Sequence, residues 1–208
     1  QRQIVAVLLN ELELSTKRFA SIRQLPQCLT VWNAETTRAL HIRLAEYLQG
    51  NYISSEFVDA SLKSGELCNG ILHVDMQRTH FEDESIDYIL SGDVLEHIPE
   101  PKRALQESYR ILRPGGAHIE QRAVLLSNDS ISHLMKPWFH DDPIRPSEGA
   151  LVFNVFAPEL LCEIEKLGFE ARLLRLHSFL HGILGNNGIV IVARKLLPPD
   201  HARDWIFD

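Results

Sequence analysis

Apolar residues recur along this chain at two different spacings, and the two take turns. Residues 4–14, IVAVLLNELEL, are apolar at helical spacing and predict an amphipathic helix. QCLTVW (27–32) is a short β-rich run and predicts a strand. ETTRALHIRLAEYLQ (35–49) sets Leu40, Leu44 and Leu48 four apart, on one face of a helix. NYISSEFV (51–58) and GILHVD (70–75) read as the second and third strands. IDYILSGDVLEHI (86–98) starts as a buried strand and turns polar at Ser91. PKRALQESYRILRPGG (101–116) is a helix closed by Pro114 and a glycine pair, a sound stop signal. AHIEQRAVLL (117–126) is another strand, and APELLCEIEKLGFE (157–170) a helix ending at Gly168. ARLLRLHSF (171–179) and NGIVIVARK (187–195) read as a final antiparallel pair. Strands alternating with helices predict a mostly parallel sheet covered on both faces.

One α/β domain over 1–208 is therefore expected. It has an N-terminal helical segment (1–26), a core (27–126), a lid-like irregular insertion (127–150) and a C-terminal helix with antiparallel strands (151–208). A loop as long as that insertion is usually functional. Composition adds exclusions. A net charge of -7 without a Lys/Arg run disfavours a nucleic-acid partner. No apolar run approaches a bilayer span and no signal peptide is visible, so no membrane partner and a cytoplasmic location are expected. Cys28, Cys68 and Cys162 are odd in number and widely spaced, which predicts three reduced, mostly buried thiols.

The sharpest block is FEDESIDYILSGDVLEHIPEPKRALQESYRILRPGGAHI, residues 81–119. It resembles the class I S-adenosylmethionine-dependent methyltransferases (methyltransferase type 11-like) nearly position for position. GILHVD with RTHF, and LLCEIEKLGFEARLL, extend the likeness over most of residues 27–195. The resemblance implies a Rossmann-like seven-stranded sheet in the order 3-2-1-4-5-7-6, with ligands beyond the carboxyl ends of the strands. It implies a crevice formed by residues 33–37, 56–57, 75–76 and 91–97. Glu56 matches the acid that accepts from both ribose hydroxyls, with Phe57 beside it and Asp59 as its rival. Asp75 matches the acid that accepts from the adenine amino group, with the Met76 backbone nearby. Ser91, Gly92 and Asp93 would leave the fourth strand beneath the methyl donor, and Gly92 would allow close approach. Asp87 is expected to hold the strand start. Each of these acids has a plainer reading as an exposed strand-end carboxylate.

The turn after the first strand departs from that family. Asn33, Glu35 and Thr37 stand where glycines belong, and Val31 replaces the usual strand-end acid. WNAETTRA, SEFV and WFHDDPIRPSEGALVFNVF are similar to a glycine-poor branch of these proteins. Asn33 tolerates positive φ, so it is the expected pivot of a tight turn with Ala34. Thr36 and Thr37 are candidate helix caps, and Glu35 a candidate partner for the methionyl ammonium or the sulfonium. As a first-turn acid, Glu35 equally suits the helix dipole.

Methyl transfer to a hydroxyl, carboxyl or amine needs alignment and, for some acceptors, a base. His97 is the first candidate base. His140, beside Asp141 and Asp142, is a second candidate, as base or acceptor-binding residue. Asp93, Glu96 and His97 approach an E-x-x-E-H pattern that some class I members use for a divalent ion. Asp93 departs from it and a fourth ligand is not evident, so no metal is assigned. The expected function is methyl transfer from S-adenosylmethionine, with S-adenosylhomocysteine as product, to a small-molecule O- or N-nucleophile. A homodimer remains open. The alternative is a non-catalytic methyltransferase-like binding or scaffold module. An oxidoreductase is disfavoured by the absence of GxGxxG.

Overall fold

The computed structural model describes the 208-residue chain except residues 15–20, 37–38, 122–131, 141–148, 157–158, 178–182, 184–187 and 199–208 and the side chains of 132–138, 140 and 155. Its elements are α1 (Arg2–Glu11), β1 (Val31–Asn33), α2 (Ala39–Leu48), β2 (Tyr52–Ser54), β3 (Leu67–Cys68), β4 (Ile71–Leu72) and β5 (Ile86–Gly92). There follow α3 (Pro101–Ile111), β6 (Leu112–Gln121), β7 (Ser132–His140), β8 (Ala150–Val155), α4 (Leu160–Glu165), β9 (Phe169–Arg175) and β10 (Ile189–Lys195). Six strands form the main sheet in the order β2-β1-β5-β6-β10-β9. β2, β1, β5 and β6 are parallel, and β10 runs antiparallel to both β6 and β9.

Alternation along the strands splits the core into two layers. Tyr88 and Leu90 of β5 and Ala117 and Ile119 of β6 face α1 and α2, where Ile4, Val7, Leu8, Leu40, Leu44 and Leu48 cover them. Ile89 of β5 and Ile191 of β10 face the other way, toward Leu105 and Ile111 of α3 and Leu160 and Ile164 of α4. Each fully buried Leu or Ile contributes about 2 kcal/mol of transfer free energy. Among the described residues no helix is long and apolar enough to cross a membrane.

Three expectations change. The predicted third strand gives the main sheet only one parallel bridge, from Glu56 to His73. Just before it, β3 and β4 fold back on each other. The cause is Asn69-Gly70, with φ of 52° and 80°, the dipeptide that closes a two-residue hairpin. So, among the described residues, the sheet has six strands and a bridge where seven strands were expected. The insertion expected to be irregular over 127–150 contains β7, which pairs antiparallel with β8. Its Trp138 and Phe139 and the run ALVFNV suit a pleated ribbon, and that pattern decided the local structure over its Pro and Asp content. The thiols are free as expected, but Cys28 and Cys162 are exposed, because they sit in a turn and on the outer face of α4.

The PGG segment ends α3 by a route the stop signal did not give. α3 stops at Ile111, and Leu112 already pairs with Ile86. The next partners are Tyr88 and Ala117, so residues 113–116 bulge out of β6. A Cβ at Gly116 would stand 2.6 Å from the Asp87 carbonyl oxygen and 2.9 Å from that of Arg113. Asp87 holds this corner, accepting from Thr30 N at 2.8 Å and from Arg113 Nη1 at 2.7 Å. Gly116→Ala is therefore expected to lower stability by about 1–3 kcal/mol, read as a lower urea midpoint at unchanged slope.

Candidate active site

The glycine-free turn is laced by side chains. Asn33 is the last residue of β1, fully buried, and its φ is not positive, so the pivot expected there is absent. Instead its amide donates to the Glu35 carbonyl at 2.8 Å and to the Tyr52 hydroxyl at 3.0 Å. Ala34 N donates to Leu90 O at 2.9 Å. Thr36 donates to Glu56 Oε1 twice, from its N–H at 2.6 Å and its hydroxyl at 3.0 Å. The loop is thereby tied to β2 and β5, and none of its described residues is in the left-handed region. Burial of Tyr52 first, and the nearby Glu35 charge, push its hydroxyl far above the ordinary tyrosine range despite the Asn33 bond. Thr37 lies outside the described residues.

Beyond the carboxyl ends of β1 and β2 lies a cavity of about 580 Å³. Ala34, Glu56, Phe57, Asp75 and Met76 line one side of it. Asp75 accepts from Gln77 N at 2.9 Å, which turns the chain just past the third-strand position. Asp59, the rival acid, caps Ser61 on an exposed turn and is not in the wall. Val94, His97 and Ile98 form the middle of the wall, and Phe139, Leu151 and Phe153 of the β7–β8 ribbon form the far side. His97 reaches this position because Asp93, left-handed at φ 55°, swings the chain from β5 into a 3-10 turn over Leu95–His97. The His97 Nδ1 lies 2.8 Å from Leu151 O, which can only accept. The neutral ring therefore carries its hydrogen on Nδ1 and its lone pair on Nε2.

Not every candidate meets this cavity. Glu35 is buried beside Gly92, where an added Cβ would be 3.4 Å from its Oε1, and neither residue is in the cavity wall. Ser91 is buried inside the sheet, in contact with His118 Nε2 at 2.6 Å and donating to the Glu120 carboxylate. The wall thus brings together Ala34, Glu56, Phe57, Asp75, Met76 and His97, and leaves Asn33, Glu35, Ser91, Gly92 and Asp93 behind or beside it. The His140 side chain lies outside the described residues, while its backbone pairs with Ala150 in the wall. Sequence reasoning missed His73, which lines the wall, and the buried His118 and Glu120. Only period-two placement at the strand ends pointed to them. Among the described residues no group of three or more His, Cys, Asp or Glu side chains is placed to hold a metal ion.

Glu107 and Arg110 of α3 clamp the chain that follows Asp75 and Met76. Glu107 Oε1 accepts from Thr79 N and its hydroxyl, both at 2.9 Å. Arg110 donates to Glu107 at 2.6 and 2.9 Å and to Phe81 O at 2.9 Å. Burial pushes the Glu107 carboxyl up, but the bonds from Arg110 and Thr79 outweigh it and hold it below its ordinary value of 4.5. Its contribution is therefore present above the unfolded-state value and is lost as pH falls through the lower folded-state value. Glu107→Gln is expected to be less stable than the native chain at neutral pH. In thermal melts over a pH series the gap should narrow as pH drops below 4.5.

Residues 31–119 match the family profile described as a methyltransferase domain. An uncharacterized methyltransferase of Mycolicibacterium gilvum is 31% identical over 115 residues, 46% of this chain and 45% of that protein. A Listeria monocytogenes structure described as an S-adenosylmethionine-dependent methyltransferase superposes with a TM-score of 0.51 at 13% identity, over 83% of this chain and 94% of the other. A chain from the Haloferax volcanii complex between the Trm112 methyltransferase activator and a methyltransferase gives 0.52 at 12% identity, over 94% and 97%. At such identities the likeness is one of fold. The chain spans less than half the length of the curated relatives it matches. Its fold is the Rossmann-like class I methyltransferase fold. Residues 31–119 are thus similar to a methyltransferase domain.

Proposed function

We propose that this chain transfers the methyl group of S-adenosylmethionine to an oxygen or nitrogen of a small molecule held beneath the β7–β8 ribbon. One observation carries the reading. The same cavity holds the carboxylates at the ends of β2 and the third-strand position, a histidine with a defined tautomer, and an apolar ribbon wall. Its volume of about 580 Å³ lies within the usual range for ligand pockets.

The residues fit the donor. Glu56 lines the cavity, and a carboxylate with two acceptor oxygens suits a pair of ribose hydroxyls. Asp75 accepts from the adenine amino group, with Phe57 and Met76 flanking the ring. S-adenosylmethionine, when bound, supplies an electrophilic methyl group on a sulfonium. His97 Nε2 takes the acceptor's proton as the new bond forms, and the imidazolium charge is supported by Leu151 O at Nδ1. The ribbon, through Phe139, Leu151 and Phe153, excludes water and sets the acceptor's place. Lack of a basic run supports a small molecule over a nucleic acid.

The non-catalytic reading is favoured by one feature: the loop N–H groups of Ala34 and Thr36 already have partners in the protein. Calorimetric titration with S-adenosylmethionine and S-adenosylhomocysteine separates the two readings. Micromolar binding, weakened at least about tenfold in Glu56→Ala and little changed in His97→Ala, is the expected result. An acceptor screen on the binding-competent chain should then show kcat lost in His97→Ala. No binding at millimolar ligand by the folded native chain overturns the enzyme reading.

A further inference from the structure

His73 has no part in the roles given above. The residue is fully buried, yet it lines the cavity. Its Nδ1 accepts from Val58 N at 3.0 Å, which leaves the ring hydrogen on Nε2. Nε2 is buried and has no hydrogen-bond partner among the described residues. A buried donor left in that state is costly and uncommon in folded proteins. The ring cannot easily relieve the cost. Phe57 packs on it with ring centroids 5.2 Å apart, and Val58 holds Nδ1 in place.

Position says what the donor is for. His73 makes the parallel bridge to Glu56, and Asp75 lies two residues on, also in the cavity wall. The wall therefore sets a carboxylate two residues from an imidazole whose buried N–H is unmet, with the Phe57 ring alongside. Adenine carries the complementary set, an exocyclic amino donor and ring-nitrogen acceptors on a flat aromatic frame. Resting on the donor-binding reading above, we propose that His73 is a further cofactor-binding residue whose Nε2–H donates to a ring nitrogen of the adenine. A purine without that acceptor would leave the donor buried and unmet, so His73 also sets selectivity for the base.

The test is calorimetry with S-adenosylhomocysteine and its 1-deaza, 3-deaza and 7-deaza analogues, on the native chain and on His73→Phe. Phenylalanine keeps a ring of similar shape and removes the donor. One of the three analogues should bind the native chain about tenfold more weakly than the parent. In His73→Phe that penalty should vanish, because the parent ligand itself binds weakly. If the native chain binds the parent but no analogue's penalty changes in His73→Phe, the proposal is overturned. Because that variant also removes the acceptor for Val58 N, a second readout uses the native chain alone. The Nε2–H proton of His73, followed by nitrogen-15 NMR, should shift and gain exchange protection with S-adenosylhomocysteine. It should do neither with the weak-binding analogue. An unmoved Nε2–H with bound ligand overturns the inference while leaving the donor site standing. Failure of the native chain to bind the parent ligand defeats the donor-binding reading and this inference with it.

Discussion

The two hydrogen bonds from Thr36 to Glu56 hold the ends of β1 and β2 together, and the cavity depends on them. β1 is only three residues long. With so little ladder, the chain leaving it needs other anchors. A glycine-rich turn solves this by letting bare backbone approach the ligand. Here the turn is fixed by bonds to Glu56, by the Asn33 amide on the Glu35 carbonyl, and by Ala34 N on Leu90. The small Ala34 side chain then faces the cavity, and Trp32 is drawn away into the core, where it donates to Ser55.

Similar polar ties fix the rest of the rim. Glu107 and Arg110 hold the chain beyond Met76 against α3. Arg113 and Asp87 hold the bulged start of β6 against the residues entering β1. On the far edge Glu11, almost wholly buried, receives Arg172 at 2.6 and 2.7 Å and also Arg194, joining α1 to β9 and β10. Each tie links elements remote in sequence. Losing its arginines would strand the buried Glu11 charge, so that tie resists single substitution more than its net contribution suggests. Two of these ties lie in the segment that resembles the methyltransferases most. Glu107 and Arg110 belong to its L-x-E-x-x-R pattern, and what they do in this chain is structural.

Helices and central strands were legible because apolar spacing is decided by burial. Leu40, Leu44 and Leu48 read as one face and are one face. Asp87 was legible for the same reason, since an acid beside a buried strand start needs a partner. The third strand was misread because its apolar content is right for a strand, while Asn69-Gly70 upstream turns the chain back on itself. The ribbon was missed because Pro and Asp suggest a loop when counted, whereas the aromatic and β-branched residues among them pair. Of the candidate residues, Ala34, Glu56, Phe57, Asp75, Met76 and His97 line the cavity, and all lie just past strand or strand-like ends. Buried polar residues such as His73, His118 and Glu120 look like ordinary strand positions until the sheet register is known.

The laced turn also shifts where selectivity comes from. In a glycine turn the ligand meets free backbone N–H groups, which bind any carboxylate or phosphate that fits. Here the N–H groups of Ala34 and Thr36 are satisfied within the protein. Among the described residues, side chains such as Glu56 and Asp75 add polar groups to the cavity wall. Side chains present a fixed pattern, and here the wall carries the Asp75 carboxylate and the His73 imidazole. Losing the glycines thus shifts what the protein offers a ligand from the backbone of the turn toward the side chains that line the cavity.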